Sequence, residues 1–381
     1  MNISRRRFAR LLGAGAAIAA VRPTFAPSAR ADLASVAANS SGGIVRLSSN
    51  ENAYGPCPSA LRAMTDSFNL ACRYTEDHVE ALTVALAKMN GVNADQILLG
   101  DGSGEILKLC AATFTGPVMK EAAVGFPHGN LVVADPTFEA ILAHARVAGA
   151  DVVKIPLTST FSHDLPKMAA AAKAGVIYIC NPNNPTASIT PKNELRDFID
   201  GVPRETMILV DEAYFHYADS ADYESVIPLI KDHPNLLVAR TFSKIYGMAG
   251  LRCGYCVAQK QVIDKMRPQQ PWDSVNIMAL VSAGASIADS EQVANGRRLN
   301  NEARTFTVTE LEKLGYKTIP SQANFIMFDV KGPVAPLISA MKQKKVEVGR
   351  LFPAMPNYMR LTIGKKTEME SFLSAFRQSI A

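Results

Sequence analysis

The sequence predicts an α/β fold: a large, mainly parallel sheet domain followed by a smaller α+β domain. Two observations carry this. Between Ile97 and Ala258 short apolar runs alternate with helix-like patterns, as in strands joined by crossover helices. After Ile263 the alternation gives way to helical stretches from about Val275 to Leu314, then isolated strands. A third observation places the chemistry. Several apolar runs end in polar or acidic residues, and open α/β sheets bind ligands at strand ends.

The first 31 residues stand apart. Ser4-Arg5-Arg6-Arg7-Phe8 is basic, Leu11 to Val21 is weakly apolar, and Ala29-Arg30-Ala31 is an A-x-A cleavage signature. This pattern predicts an export signal peptide over 1–31. Ser-Arg-Arg-x-Phe resembles the twin-arginine motif, which implies a periplasmic or otherwise exported protein. The apolar run is too short for a stable membrane anchor. The chain holds 40 Lys+Arg and 35 Asp+Glu, and the leader contains six arginines and no acid. Without it 34 basic residues face 35 acidic ones. The net positive charge is therefore no argument for a nucleic-acid or acidic-membrane partner. The six cysteines are scattered, and Cys253-x-x-Cys256 falls in a predicted strand. Side chains alternate faces there, so no metal or redox site is expected of the pair. A disulfide among the others stays open.

Residues 32–58 read as an irregular arm ending in Ser49-Asn50-Glu51-Asn52-Ala53-Tyr54-Gly55-Pro56, because Gly, Pro and Asn mark turns. Arg73-Tyr74 precedes a helix predicted from Val79 to Met89. Ile97 to Gly100 is a strand, and Asp101-Gly102-Ser103-Gly104-Glu105 turns into a helix, Ile106 to Phe114. Amides at a helix start bind phosphate and glycines let it approach. Gly102, Ser103 and Gly104 are thus the expected phosphate cup. The next strand, Leu131 to Ala134, ends in Asp135-Pro136-Thr137-Phe138. Ala150 to Ile155 and Val176 to Cys180 follow, the second running into Asn181-Pro182-Asn183-Asn184-Pro185-Thr186. Its prolines stiffen that loop. Met207 to Asp211 is an apolar strand with an acid at its end, three residues before Tyr214.

The chain is organised around Thr241-Phe-Ser-Lys-Ile-Tyr-Gly-Met-Ala-Gly-Leu-Arg252, between strands predicted at Asn235–Arg240 and Cys253–Ala258. A lysine on a loop between buried strands, flanked by hydroxyls and a nearby arginine, suits a Schiff-base nucleophile. Thr241, Ser243 and Arg252 can bind a phosphate, and Lys244 can bind an aldehyde. Together they describe a handle for pyridoxal 5'-phosphate (PLP).

This stretch resembles the lysine motif of fold-type I PLP enzymes, the aspartate aminotransferase superfamily. It is similar to the S-K-x-x-G-x-A-G-L-R-x-G run of histidinol-phosphate aminotransferases within that group. The resemblance covers roughly residues 45–370, with the motifs in family order. It implies the PLP-dependent transferase fold, aspartate aminotransferase-like, and a homodimer. It implies 32–70 as arm and part of the small domain, 71–270 as the large PLP-binding domain, and 271–381 as the small C-terminal domain. Lys244 would bind PLP and move the substrate proton. Asp211, in Asp-Glu-Ala-Tyr, would face the pyridine nitrogen and keep it protonated. Asn184 and Tyr214 would touch the phenolate oxygen, with Ala187 standing where the family has glycine. Phe138 would stack on the ring. Ser103, Thr241, Ser243, Arg252 and Tyr74 of a neighbouring subunit would hold the phosphate. Tyr54 either faces the substrate or is a buried loop tyrosine. Arg350 and Arg360 resemble late arginines that hold substrate anions. The implied reaction is ping-pong transamination between an amino acid, or a histidinol-phosphate-like amine, and a keto acceptor. A decarboxylase resembling threonine-phosphate decarboxylase, and a non-catalytic exported binding protein, are the alternatives. Histidine biosynthesis is usually cytoplasmic, so an exported member argues for some other amine.

Overall fold

A computed structural model describes residues 43–117 and 128–380. The leader expected at 1–31 and the start of the arm lie outside them. The described chain runs β1 (Val45–Arg46), α1 (Pro58–Asp66), α2 (Glu76–Asn90), β2 (Ile97–Gly100), α3 (Gly102–Phe114), β3 (Leu131–Asp135), α4 (Ala140–Val147), β4 (Val152–Pro156), α5 (Leu165–Ala171), β5 (Val176–Cys180) and α6 (Lys192–Gly201). It continues through β6 (Met207–Asp211), β7 (Leu236–Thr241), β8 (Gly254–Ala258), α7 (Lys260–Met266), α8 (Ile277–Ala288) and α9 (Gln292–Lys313). The last elements are β9 (Phe325–Asp329), α10 (Val334–Gln343), β10 (Val346–Glu347), β11 (Tyr358–Thr362) and α11 (Lys366–Ile380).

Seven strands form the central sheet in the order β2-β8-β7-β6-β5-β3-β4. β8 is antiparallel to both neighbours, and the remaining pairings are parallel. Strands β5, β6 and β7 are buried along their whole length, as expected of a sheet covered on both faces. The period-2 alternation sorts their side chains. Ile208 and Val210 join one apolar cluster with residues of α2, α6 and α8. Met207 and Leu209 join another with residues of α3, α4 and α7. Cys253 belongs to the first cluster and Cys256 to the second, so the pair does face opposite ways. All six cysteines are free thiols.

Local chemistry sets several helix ends. α2 stops at Gly91 in the left-handed region, φ 66°, whose N–H bonds the carbonyls of Ala87 and Lys88. α8 starts where the Asn276 side chain accepts the Ala279 N–H at 3.0 Å. α3 begins at Gly102, four residues ahead of the expected Ile106. Ser103 and Gly104 therefore sit in its first turn, where backbone amides lack helical partners.

The C-terminal stretch has its own apolar cluster, built from α9, α10, α11 and the antiparallel pair β9–β11. Leu47 of the arm joins it, and β1 pairs in parallel with β10. Residues from Ile44 onward form one compact unit by contact. Among the described residues no helix is long and apolar enough to cross a membrane. Nor does any group of three or more His, Cys, Asp or Glu side chains there suit a metal ion.

Candidate active site

The C-terminal ends of β5, β6 and β7 open on one cavity of about 620 Å³, within the range of small-molecule sites. Strand register fixes its floor. Cys180, Asp211 and Ala239 are mutual partners across β5, β6 and β7, so Asp211 sits at the sheet's centre. It is 2% exposed. The Tyr178 hydroxyl donates to its Oδ2 at 2.9 Å, and the Ala213 N–H to Oδ1 at 3.1 Å. Burial pushes its carboxyl up to about 6, although both donors pull it back down.

Beyond β7 the chain folds back at once. The Phe242 N–H bonds the Cys253 carbonyl at 3.0 Å, and the Gly247 N–H bonds that of Lys244 at 2.9 Å. This tight turn points Lys244 into the cavity, where Nζ donates to the Asn50 carbonyl at 3.1 Å. Burial, then the Arg360 charge, lowers the Lys244 ammonium to about 8. A larger share of the amine is therefore uncharged near neutrality than for a solvated lysine, as a nucleophile requires.

The cavity's donors fit PLP. At one end stand the hydroxyls of Ser103, Thr241 and Ser243, the first turn of α3, and Arg252. Arg252 lies so close to Gly102 that a Cβ there would approach its Nη2 to 2.1 Å. Glycine is what lets the guanidinium meet the helix start, and this end suits a phosphate dianion. In the middle, buried Asp211 suits a protonated pyridine nitrogen. Asn184 Nδ2 lies 3.4 Å from the Tyr214 hydroxyl, and such a pair can face a phenolate. Phe138, 38% exposed, lines the cavity wall. Ala187 takes φ 59°, so the loop after Asn184 keeps a glycine-like turn with alanine in it.

Arg360 and Arg350 line the same cavity. Arg360 Nη1 donates to Asn184 Oδ1 at 2.7 Å and Nη2 to the Ser48 carbonyl at 2.6 Å. Its buried Nε has no hydrogen-bond partner. Arg350 is paired with Glu139 instead. The structure does not bring Tyr54 or Tyr74 to this cavity. Tyr54 borders a separate groove of about 250 Å³, and at 42% exposure it is not the buried loop tyrosine of the alternative reading. Tyr74 is 85% exposed.

Sequence reasoning missed Asn50, Tyr178, Glu139 and Phe352. Asn50 is buried with φ 54°. Its Nδ2 donates to the Tyr214 hydroxyl at 3.1 Å, and its carbonyl accepts from both Lys244 and Asn324. An asparagine in a Gly/Pro-rich arm was the available signal, since Asn tolerates the left-handed region.

Comparison with known proteins decides the family. The profile of "Aminotransferase class I and II" matches residues 43–376. The chain belongs to the class I and II aminotransferase family. It is 36% identical over 344 residues to a histidinol-phosphate aminotransferase of Moorella thermoacetica, covering 89% of this chain and 86% of that one. It is 36% identical over 342 residues to histidinol-phosphate aminotransferase 2 of Pseudomonas fluorescens Pf0-1, covering 89% of each. The structure of a histidinol-phosphate aminotransferase from Sinorhizobium meliloti, in complex with pyridoxal-5'-phosphate, superposes with a TM-score of 0.80 at 24% identity. That match covers 88% of this chain and 90% of the other. An L-threonine-O-3-phosphate decarboxylase from Porphyromonas gingivalis shares the fold, with a TM-score of 0.76 at 22% identity over 88% of this chain and 99% of the other. The sequence relatives are aminotransferases, so the decarboxylase alternative is not favoured. This aminotransferase is an enzyme, its cofactor is PLP, and its fold is aspartate aminotransferase-like. The binding-protein alternative falls with that finding.

Proposed function

We propose that this aminotransferase moves the amino group of an anionic amine, an amino acid or a histidinol-phosphate-like compound, to a keto acceptor by a ping-pong route. The observation that carries the substrate class is the mostly buried Arg360 guanidinium, which lines the same cavity as Lys244 and keeps one N–H without a partner. Bound PLP supplies an electron sink for the pair of electrons released at the substrate Cα. The protein residues do the rest. Lys244 would hold the cofactor and, once freed as an amine, its Nζ would accept the proton from the substrate Cα. Asp211 holds a proton on the pyridine nitrogen. Asn184 and Tyr214 fix the phenolate oxygen, and Phe138 bounds one face of the ring. Ser103, Thr241, Ser243 and Arg252 anchor the phosphate, with Gly102 and Gly104 giving room. Arg360 orients the substrate anion through a planar fork. Borohydride treatment of the loaded protein should fix PLP covalently to Lys244, and label on another lysine would overturn the assignment. A screen of amino acids and phosphorylated amines, read from the cofactor spectrum in single half-reactions, should identify a donor carrying a carboxylate or phosphate. Reaction restricted to uncharged amines would defeat the substrate class.

The 71–270 and 271–381 division into large and small domains belongs to the same proposal, supported from α9 onward by the separate C-terminal apolar cluster, while α8 packs with the large sheet. So does a homodimer in which Tyr74 completes the partner's phosphate site, which its exposure in the single chain supports. Export through the twin-arginine leader is proposed from Ser4-Arg5-Arg6-Arg7-Phe8 and the Ala29-Arg30-Ala31 signature. Replacing Arg5 and Arg6 by Lys should strand unprocessed protein inside the cell. Mature protein outside, cut after Ala31, would defeat it.

A further inference from the structure

Glu139 stands immediately before α4 and Arg350 three residues after β10, and both line the catalytic cavity. Arg350 Nη2 donates to Glu139 Oε2, and Arg350 Nη1 to the Leu351 carbonyl at 3.0 Å. The guanidiniums of Arg350 and Arg360 both lie against the Phe352 ring, 4.4 and 5.2 Å from its centroid. The cavity thus presents two cations flanking one aromatic ring. They are not equivalent. Arg360 is mostly buried and keeps a donor without a partner, while Arg350 is already neutralised by a carboxylate of its own chain. That ion pair is half exposed, with side-chain exposures of 53% and 47%, and pairs of this kind are cheap to break.

We propose that Glu139 is a specificity-determining residue: a displaceable internal counter-anion that holds the place of a second anionic substrate group at Arg350. The proposal rests on the reading of this cavity as an anionic-amine site, and it names how that site ranks substrates. A monoanionic substrate binds at Arg360 with Glu139 left on Arg350. A dianionic substrate places its first group at Arg360, and its second, a carboxylate or a phosphate, must displace Glu139. The ion pair therefore taxes dianionic ligands and leaves monoanionic ones untouched, which lets one cavity serve a donor and an acceptor of different charge. Neutralising Glu139 removes the competitor and the tax together.

The test uses the PLP-loaded full chain and three unreactive probes in calorimetric titration: glutarate, 3-phosphonopropionate and pentanoate. Glu139→Gln should bind glutarate, 3-phosphonopropionate or both about fivefold tighter than wild type, the upper worth of a half-exposed pair. Pentanoate should change by less than about twofold. A gain for one dianion alone assigns carboxylate or phosphate as the second group, and supports the proposal either way. Glu139→Ala should repeat the gain without the amide. In an Arg350→Ala background the Glu139→Gln change should have no effect on any probe, the coupling expected of residues acting on each other. Unchanged or weaker dianion binding in Glu139→Gln, an equal gain for pentanoate, or failure of wild type to bind any probe would overturn the proposal. Half-reactions run on the same samples separate this from the reading beneath it. Turnover with no dianion gain defeats the counter-anion alone, whereas absence of turnover with every donor defeats the aminotransferase site.

Discussion

At the scale of single residues, Asp211 sets a conflict between folding and function. Its folded carboxyl is raised from 3.8 to about 6, first by burial and also by neighbouring Glu212, against the pull of Tyr178, Ala213 and the Lys244 charge. A group raised in the folded state binds protons more tightly there. Its contribution to stability is full below 3.8 and is lost as pH rises through about 6. At neutral pH the ionised carboxylate therefore costs the cofactor-free protein on the order of 3 kcal/mol. A cation at the pyridine nitrogen offsets that cost. Asp211→Asn should accordingly raise the melting temperature of the cofactor-free protein at pH 8 relative to wild type, with a smaller gain at pH 4. The same change should weaken PLP retention. Melting curves at both pH values, with and without PLP, check this. Equal destabilisation at pH 4 and 8 would show that the carboxylate is held for its hydrogen bonds alone. Asp211 was legible in the sequence because an acid ending an apolar strand is conspicuous. Tyr178 was not, because an aromatic inside a buried strand reads as core, and its hydroxyl meets Asp211 only through the register of β5 on β6. Asn50 was hidden for a related reason: its backbone N–H bonds Thr362 Oγ1 at 2.9 Å, 312 positions away.

At the scale of elements, the strands were readable because central parallel strands are continuous apolar runs bounded by turn residues. β5 and β6 fall on their expected limits, 176–180 and 207–211. Sheet order was not readable, since β8 carries the same composition as its parallel neighbours and yet runs against them. The start of α3 was hidden by Gly-Ser-Gly, a poor helix former that the phosphate cup requires. The lysine loop shows the most exacting packing. Gly247 has φ 69°, and a Cβ there would lie 2.3 Å from the backbone C and O of Gly55. Asn52 Nδ2 of the same arm bonds the Ile245 carbonyl at 2.9 Å. The arm and the loop that carries Lys244 are thus interlocked through backbone, which cannot swing aside as a side-chain tip does. Gly247→Ala should destabilise the protein by at least about 2 kcal/mol, from strain at positive φ together with the clash. It should also loosen PLP, because Asn50 on the arm holds Lys244. Urea unfolding and the rate of cofactor loss measure the two effects. A cost below about 0.5 kcal/mol, the size of an ordinary surface change, would show that the arm moves freely off the loop.

At the scale of the whole molecule, the cavity gathers its donors from one chain except at the phosphate end, where the proposed dimer adds Tyr74. Tyr74 stands just ahead of α2 at 85% exposure, and Phe68 and Trp272 are also largely exposed, at 64% and 95%. Large aromatics left in solvent are the residues that protein interfaces favour. If Tyr74 completes the neighbour's site, each active centre draws Lys244 from one subunit and Tyr74 from the other. Tyr74→Phe should then weaken PLP about tenfold or more, the worth of a hydrogen bond to a charged group, without changing the sedimentation of a dimer. Lys244→Ala should abolish turnover outright. Refolding the two variants together gives a decisive reading, because a mixed dimer has one centre with both lesions and one with neither. Activity at low PLP should return in the mixture, to at most about half the wild-type value per mixed dimer, one intact centre of two. If Tyr74 served its own chain's site, every centre in the mixture would carry one lesion and no activity would be regained. Failure of complementation in a mixture shown by sedimentation to contain mixed dimers would remove Tyr74 from the partner's phosphate site.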